Sequence, residues 1–140
     1  MNQTERLREN TRQLEFHLAN INQSDCCSSI AGAQCFALVE IGRAPGISVK
    51  ELANVLRLDK SGVSRTVEEL VLKNLVERRP SVSDRRYVVL SLTPAGIERF
   101  EKIENNMNEK FRKILNKIPS DKRKQVIESL ELYNTALSKL

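Results

Sequence analysis

The sequence predicts a mainly α-helical fold carrying one small β-hairpin, and three observations predict it. Apolar residues recur at steps of three and four through most of the chain, the period of amphipathic helices. One stretch, residues 76–92, has the β-branched composition of strands and is interrupted by a Ser-rich turn. Residues with capping chemistry, Ser48, Asp59 and Thr93 ahead of Pro94, stand at the starts of periodic segments. The chain has 140 residues, 40% hydrophobic and 29% charged, which suits one folded subunit with a moderate core and excludes a largely disordered chain.

Leu7, Leu14, Leu18 and Ile21 share one face of a first helix over residues 2–22. Asn22, Ser24 and Asp25 make a polar break. The run "SSIAGAQCFALVEIGR" is nearly apolar throughout and reads as a buried second helix ending at Gly42, ahead of Pro45 and Gly46. "SVKELANVL" starts a short third helix at Ser48, with Glu51 at the spacing of a capping box. Asp59 caps a fourth helix whose apolar stripe is Val63, Val67, Leu70 and Val71. Asn74 is its expected stop, because Asn tolerates the left-handed conformation at a helix exit.

"VERRP" and "RYVVLSL" are the expected strands of a hairpin, with "SVSD" as the turn. Thr93 and Pro94 then open a fifth helix carrying Ile97, Phe100, Ile103, Met107, Phe111, Ile114 and Ile118, a stripe too long to serve only a small core. Pro119, Ser120 and Asp121 break it. A last helix places Val126, Leu130, Tyr133, Leu137 and Leu140 on one side.

Helix, helix, short helix, capped helix and hairpin in that order make a winged helix-turn-helix flanked by long helices. In that arrangement the fourth helix presents its first turns to the major groove of double-stranded DNA, and the hairpin reaches the minor groove or phosphates. Lys60, Ser61, Gly62, Ser64, Arg65 and Thr66 are small or polar where later turns are apolar. Arg65 suits either a bidentate contact to guanine or a grip on phosphate. Gly62 costs roughly 1 kcal/mol of helix propensity relative to Ala, and it implies either close approach to DNA or tolerated slack. Arg78, Arg79, Arg85 and Arg86 crowd like charges around the hairpin, which phosphate oxygens would neutralise with counterion release. The formal net charge of +5 agrees with an anionic partner.

The segment "DRRYVVLSLTPAG" carries a more specific signal. With "ISVKELANVLRLDKSGVSRTVEELVLKNLVERR" before it, the chain resembles the MarR family of bacterial transcriptional regulators over nearly its whole length. Asp84, Arg86, Leu92, Thr93 and Gly96 match that family's wing pattern, whereas Asn74 stands where its members commonly carry Gly. The resemblance implies a single subunit over residues 1–140, with a DNA-binding part at 29–96 and dimerisation helices at 1–22 and 97–140. It implies a homodimer that reads a pseudo-palindromic operator, represses, and is released by an effector. Arg86 would enter the minor groove while Asp84 pairs with it and holds it in position.

"SDCCSSIAGAQC" lies where such proteins respond to an effector. Cys26 and Cys27 precede a helix expected to start near Ser28 or Ser29, and a helix N-terminus lowers thiol pKa. Cys35 lies inside that apolar helix, either as a sensor thiol or as a small hydrophobe. The effector classes that follow are a thiol oxidant, a soft metal or metalloid on the thiolates, or a small aromatic ligand in an apolar crevice. His17, the one histidine, is the candidate to join Cys26 or Cys27 as a mixed metal ligand, with a structural role as the alternative. No cofactor is required.

One histidine and no Gly-rich phosphate loop or nucleophile elbow argue against an enzyme. The first residues do not read as a secretory signal, no run approaches the ~18 apolar residues of a membrane span, and three cysteines suit reduced thiols. A cytoplasmic protein with no membrane partner is expected. The alternative function is a winged helix that binds another protein without sequence-specific DNA binding.

Overall fold

The computed structural model describes residues 1–23 and 32–140. They form two compact units, Met1–Glu104 and Asn105–Leu140. Along the chain run α1 (Gln3–Gln23), α2 (Gly32–Arg43), β1 (Ile47–Ser48), α3 (Val49–Leu56), α4 (Lys60–Leu72), β2 (Val76–Pro80), β3 (Val88–Leu92), α5 (Pro94–Asn116) and α6 (Arg123–Leu137). The winged helix-turn-helix expected from the element order is present in the first unit.

Its core is the meeting of the apolar faces of α2, α3 and α4 with the sheet. Leu38, Ile41, Leu52, Val63, Val67, Leu70, Val76 and Leu90 are fully buried there. Burial of such side chains is worth about 1.5 to 3 kcal/mol each, so this group dominates the stability of the unit. The α4 stripe is the one the spacing predicts, with Val71 at its half-buried edge. α2 differs from expectation: only Gln34, Ala37, Leu38 and Ile41 are buried, and Phe36 stays 64% exposed. A single face of this helix meets α3, α4 and β3, so apolar composition all round did not become burial all round.

Local chemistry starts and stops the helices. The Ser48 hydroxyl accepts the Glu51 N–H at 3.0 Å and caps α3. α3 ends at Arg57 with φ +56°, a left-handed exit at a non-glycine residue, and Asn74 takes φ +58° after α4 as the sequence implied. Thr93 joins two elements: its hydroxyl donates to the Asn74 carbonyl at 2.7 Å and accepts the Gly96 N–H at 3.0 Å. A Cβ on Gly96 would lie 2.0 Å from the Leu75 carbonyl oxygen, so only glycine permits α5 to start so close to the α4 exit.

The hairpin is part of a three-stranded antiparallel sheet in the order β1-β3-β2. The sequence implied two strands. β1 is two residues long, Ile47 pairing with Leu90 and Ser48 with Val89, too short to show a period of two. β2 pairs with β3 from Val76↔Leu92 to Pro80↔Val88. β3 begins at Val88, later than the expected run, because Arg86 and Tyr87 belong to the turn: Tyr87 N–H donates to the Asp84 carbonyl at 3.1 Å and Ser81 N–H to the Tyr87 carbonyl at 2.8 Å.

The terminal helices carry their stripes without covering them. On α1, Leu7, Leu14 and Phe16 are 52%, 38% and 63% exposed. In the second unit no residue is buried, and Phe111, Ile114, Ile127, Leu130 and Leu132 are exposed.

Candidate nucleic-acid interface

The first turn of α4 is built around its cap. The Asp59 carboxylate accepts the Gly62 N–H at 3.4 Å and the Ser61 hydroxyl. The Ser61 hydrogen bond, then the Gly62 N–H, hold the Asp59 carboxyl below the usual aspartate range, with the Arg65 charge adding to them. Ser61 therefore serves the cap as well as the surface. Gly62 has a local reason too: a Cβ there would sit 2.8 Å from Asp59 Oδ1, so the glycine leaves room for the capping carboxylate.

Lys60, Ser61, Ser64 and Arg65 are exposed, so these sequence candidates share the outer face of the helix. Thr66 does not join them. It is 8% exposed, and its hydroxyl donates to the Gly62 carbonyl at 3.1 Å, because it stands three residues after Val63 on the buried stripe.

At the wing, Arg86 grips Asp84 with two guanidinium nitrogens, Nε to Oδ1 at 3.1 Å and Nη2 to Oδ2 at 2.8 Å. The Arg86 backbone N–H donates to the same carboxylate at 3.1 Å. These hydrogen bonds hold the Asp84 carboxyl below its usual range and push the Arg86 guanidinium higher still, so both stay charged. The Arg86 side chain is nevertheless 85% exposed, fixed at its fork and open to solvent.

The other arginines differ in surroundings. Arg78 on β2 pairs with Glu68 of α4 at 2.5 Å, and Arg79 pairs with Glu77 at 2.8 Å. Arg85 is exposed and forms no ion pair among the described residues. Carboxylates of the chain itself thus offset much of the crowding that the sequence left to phosphate. Glu68 lies ten residues before Arg78, which no local pattern could have linked.

Between α4 and the wing opens a crevice of about 740 Å³. Lys60 and Ser64 of α4, Arg86 and Tyr87 of the wing, and Lys50 and Asn54 of α3 face it. The sequence reading missed Lys50, Asn54 and Tyr87. Lys50 falls two positions after the Ser48 cap, and that placement was the signal available. The crevice therefore gathers three cations, Lys50, Lys60 and Arg86, against one carboxylate, Glu51, with hydrogen-bonding groups from three elements, a net positive lining suited to phosphate and base edges together.

The effector candidates are less gathered. Cys26 and Cys27 lie outside the described residues, and with them any joint site with His17. Cys35 is half-buried on α2. His17 is exposed on α1 and stands edge-on to Phe16, ring centroids 5.7 Å apart. Among the described residues no three His, Cys, Asp or Glu side chains are grouped to hold a metal ion. No described helix is long and apolar enough to cross a membrane.

Known proteins share this arrangement. A family model described as "MarR family" matches residues 28–86. The HTH-type transcriptional regulator BilQ of Clostridium symbiosum is 33% identical over 96 residues, 69% of this chain and 67% of that protein. Other curated regulators are matched over smaller shares of their length. The solved structure of the Multiple Antibiotic Resistance Repressor, MarR, is 28% identical with a TM-score of 0.73, covering 95% of each chain. Streptococcus pneumoniae FabT, solved in complex with DNA, has a TM-score of 0.87 at 19% identity, covers 97% of this chain and 98% of its own, and bears on the fold alone. Winged core, wing motif and relatives agree, and the chain belongs to the MarR family of transcriptional regulators.

Proposed function

We propose that the protein acts as a homodimer whose two winged helices bind a pseudo-palindromic duplex operator, represses the promoter it overlaps, and is released by an effector. The observation that carries this is the crevice in which Lys60 and Ser64 of α4 and Arg86, held by Asp84, face one solvent-open space. Lys60, Ser64 and Arg65 enter the major groove and contact bases and phosphates; Arg86, aimed by Asp84, enters the adjacent minor groove. Arg85 adds a phosphate contact. Arg78 and Arg79 contribute less, since Glu68 and Glu77 already neutralise them. Similarity to a transcriptional regulator supports the same reading.

The dimer is supported by the uncovered apolar stripes of α1, α5 and α6, since large exposed apolar surfaces mark association sites. Release by a thiol oxidant, a soft metal or metalloid, or a small aromatic ligand is supported by the clustering of Cys26, Cys27 and Cys35 in the sequence and by the half-exposure of Cys35. The protein works in the cytoplasm, without catalysis and without a required cofactor.

Fluorescence anisotropy of the reduced protein tests the reading, using a duplex selected from a random-sequence library beside a scrambled one, titrated across salt. Tight binding to the selected duplex, with log K falling by about 0.9 per neutralised phosphate for each tenfold rise in salt, is expected. Binding with no sequence preference, or none at low salt by a protein shown to be a folded dimer, would favour a protein-binding winged helix. Mass spectrometry after mild peroxide or arsenite should find modified thiols, and unmodified thiols would remove the sensing role.

A further inference from the structure

Three polar side chains are buried among the described residues: Gln34, Thr66 and Thr93. The two threonines serve the backbone at helix turns and starts. Gln34 does something else. Its amide nitrogen donates to Glu69 Oε2 at 2.7 Å, and its amide oxygen accepts from Lys73 Nζ at 2.7 Å. Glu69 in the last turn of α4 and Lys73 at its C-cap stand four residues apart, a spacing at which side chains share one helix face. Here a buried amide from α2 bridges them, with a charged partner at each end and therefore with two strong bonds.

The geometry points to Gln34 as a positioning residue for operator reading, one that fixes the rotational setting of the DNA-facing helix. The inference rests on the operator binding proposed above. The buried stripe of Val63, Val67 and Leu70 sets which face of α4 turns to the core, and polar ties refine that setting. The Asp59 cap acts along the helix axis at its start. The Gln34 bonds tie the far end of the helix to α2, and hydrogen bonds weaken steeply when bent. The surface of a helix lies about 5 to 6 Å from its axis, so a rotation of about 20° carries surface atoms about 2 Å. A shift of that size breaks the alignment of Ser64 and Arg65 with base edges, while phosphate contacts, which are longer-ranged, survive it. Gln34 therefore bears on sequence preference rather than on general affinity for DNA.

The amide supplies its own test, because it carries a donor and an acceptor of nearly equal shape and can turn over. Wild type, Gln34→Leu, Glu69→Lys, Lys73→Glu and the charge-swapped Glu69→Lys/Lys73→Glu double variant are compared by anisotropy on the library-selected duplex and on a scrambled duplex, with melting temperatures recorded. Gln34→Leu should lose about tenfold in preference for the selected duplex, with scrambled-duplex affinity unchanged and a melting temperature close to wild type, since Glu69 and Lys73 are exposed and neither is left as a buried charge. Each single charge variant flanks the amide with like charges and should lose preference similarly. The double swap lets the amide flip and should restore the wild-type ratio, and this variant keeps Gln34 in place should Gln34→Leu fold poorly. An unchanged ratio in Gln34→Leu, or a double swap as impaired as the singles, overturns the positioning role. If the wild type itself selects no preferred duplex, operator reading fails instead.

Discussion

Within the segment 84–96, two clusters of hydrogen bonds, one at Asp84 and Arg86 and one at Thr93 and Gly96, face opposite surroundings. At the wing tip, Asp84 and Arg86 bind each other through side chains and backbone, and the guanidinium remains 85% exposed. At the wing base, Thr93 is 8% exposed, ties the exit of α4 to the start of α5, and is followed by a glycine pressed against the Leu75 carbonyl. The bonds are similar in kind, but exposed ion pairs add little to stability whereas buried polar groups cost more when they lose a partner. The tip therefore aims a charge, and the base closes the fold. Residues of one sequence motif divide between two tasks, and substitutions at its ends should move different observables.

The largest effect expected is at the base. Gly96→Ala places a Cβ 2.0 Å from a backbone oxygen, and a backbone cannot step aside as a flexible side chain does. A loss of about 3 kcal/mol is expected from such overpacking, read as a lower urea midpoint at unchanged slope. A Gly96→Ala midpoint equal to wild type would mean that the two helices are not held at this distance in solution. At the tip, Arg86→Ala should leave the urea midpoint close to that of wild type, yet weaken binding to selected and scrambled duplexes alike by tenfold or more and lower the salt slope by about 1. Undiminished DNA affinity in that variant would remove the wing from the interface.

Thr93→Val comes next. It keeps the shape but removes the donor to Asn74 and the acceptor of the Gly96 N–H, so about 1 to 2 kcal/mol of stability should go. Its DNA affinity, measured well below its melting temperature, should match wild type. A variant that folds normally yet binds poorly would show that the base also aims the wing, and the division between the two ends would fail.

The base of the wing was legible in the sequence because its chemistry is local. Thr93 ahead of Pro94, Asn74 at a helix exit, Ser48 three residues before Glu51 and Asp59 before α4 each act over a few residues, and each is found in its expected role. Relations that cross the fold were not legible. Arg78 finds Glu68 only because β2 returns beside α4, and Gln34 meets Glu69 and Lys73 across 35 and 39 residues. β1 is too short to announce itself. Thr66 shows a different failure, since its position on the Val63–Val67–Leu70 stripe was readable while its polar side chain suggested the outer face. Asn54 and Tyr87 come to the crevice through the arrangement of α3 and the turn, which spacing along the chain does not encode.

The smallest effect expected is a pH dependence confined to the tip. The Asp84 carboxyl titrates below the usual aspartate range, first through the Arg86 side chain and then through the Arg86 backbone N–H. A carboxyl whose folded pKa lies below its unfolded one contributes above the unfolded value, and the contribution fades as pH falls through the folded value. The fork should therefore be intact at neutral pH and loosen only under acid conditions stronger than those that titrate a free aspartate. Carboxyl chemical shifts followed by NMR in the free protein should give Asp84 a midpoint below the aspartates that lack such a partner. In Arg86→Ala that midpoint should rise only part of the way, because the backbone N–H of residue 86 still donates to the carboxylate. A complete return to the ordinary range would mean that the arginine holds the turn as well as being held by it, so that the exposed tip orders itself through the charge it offers to DNA.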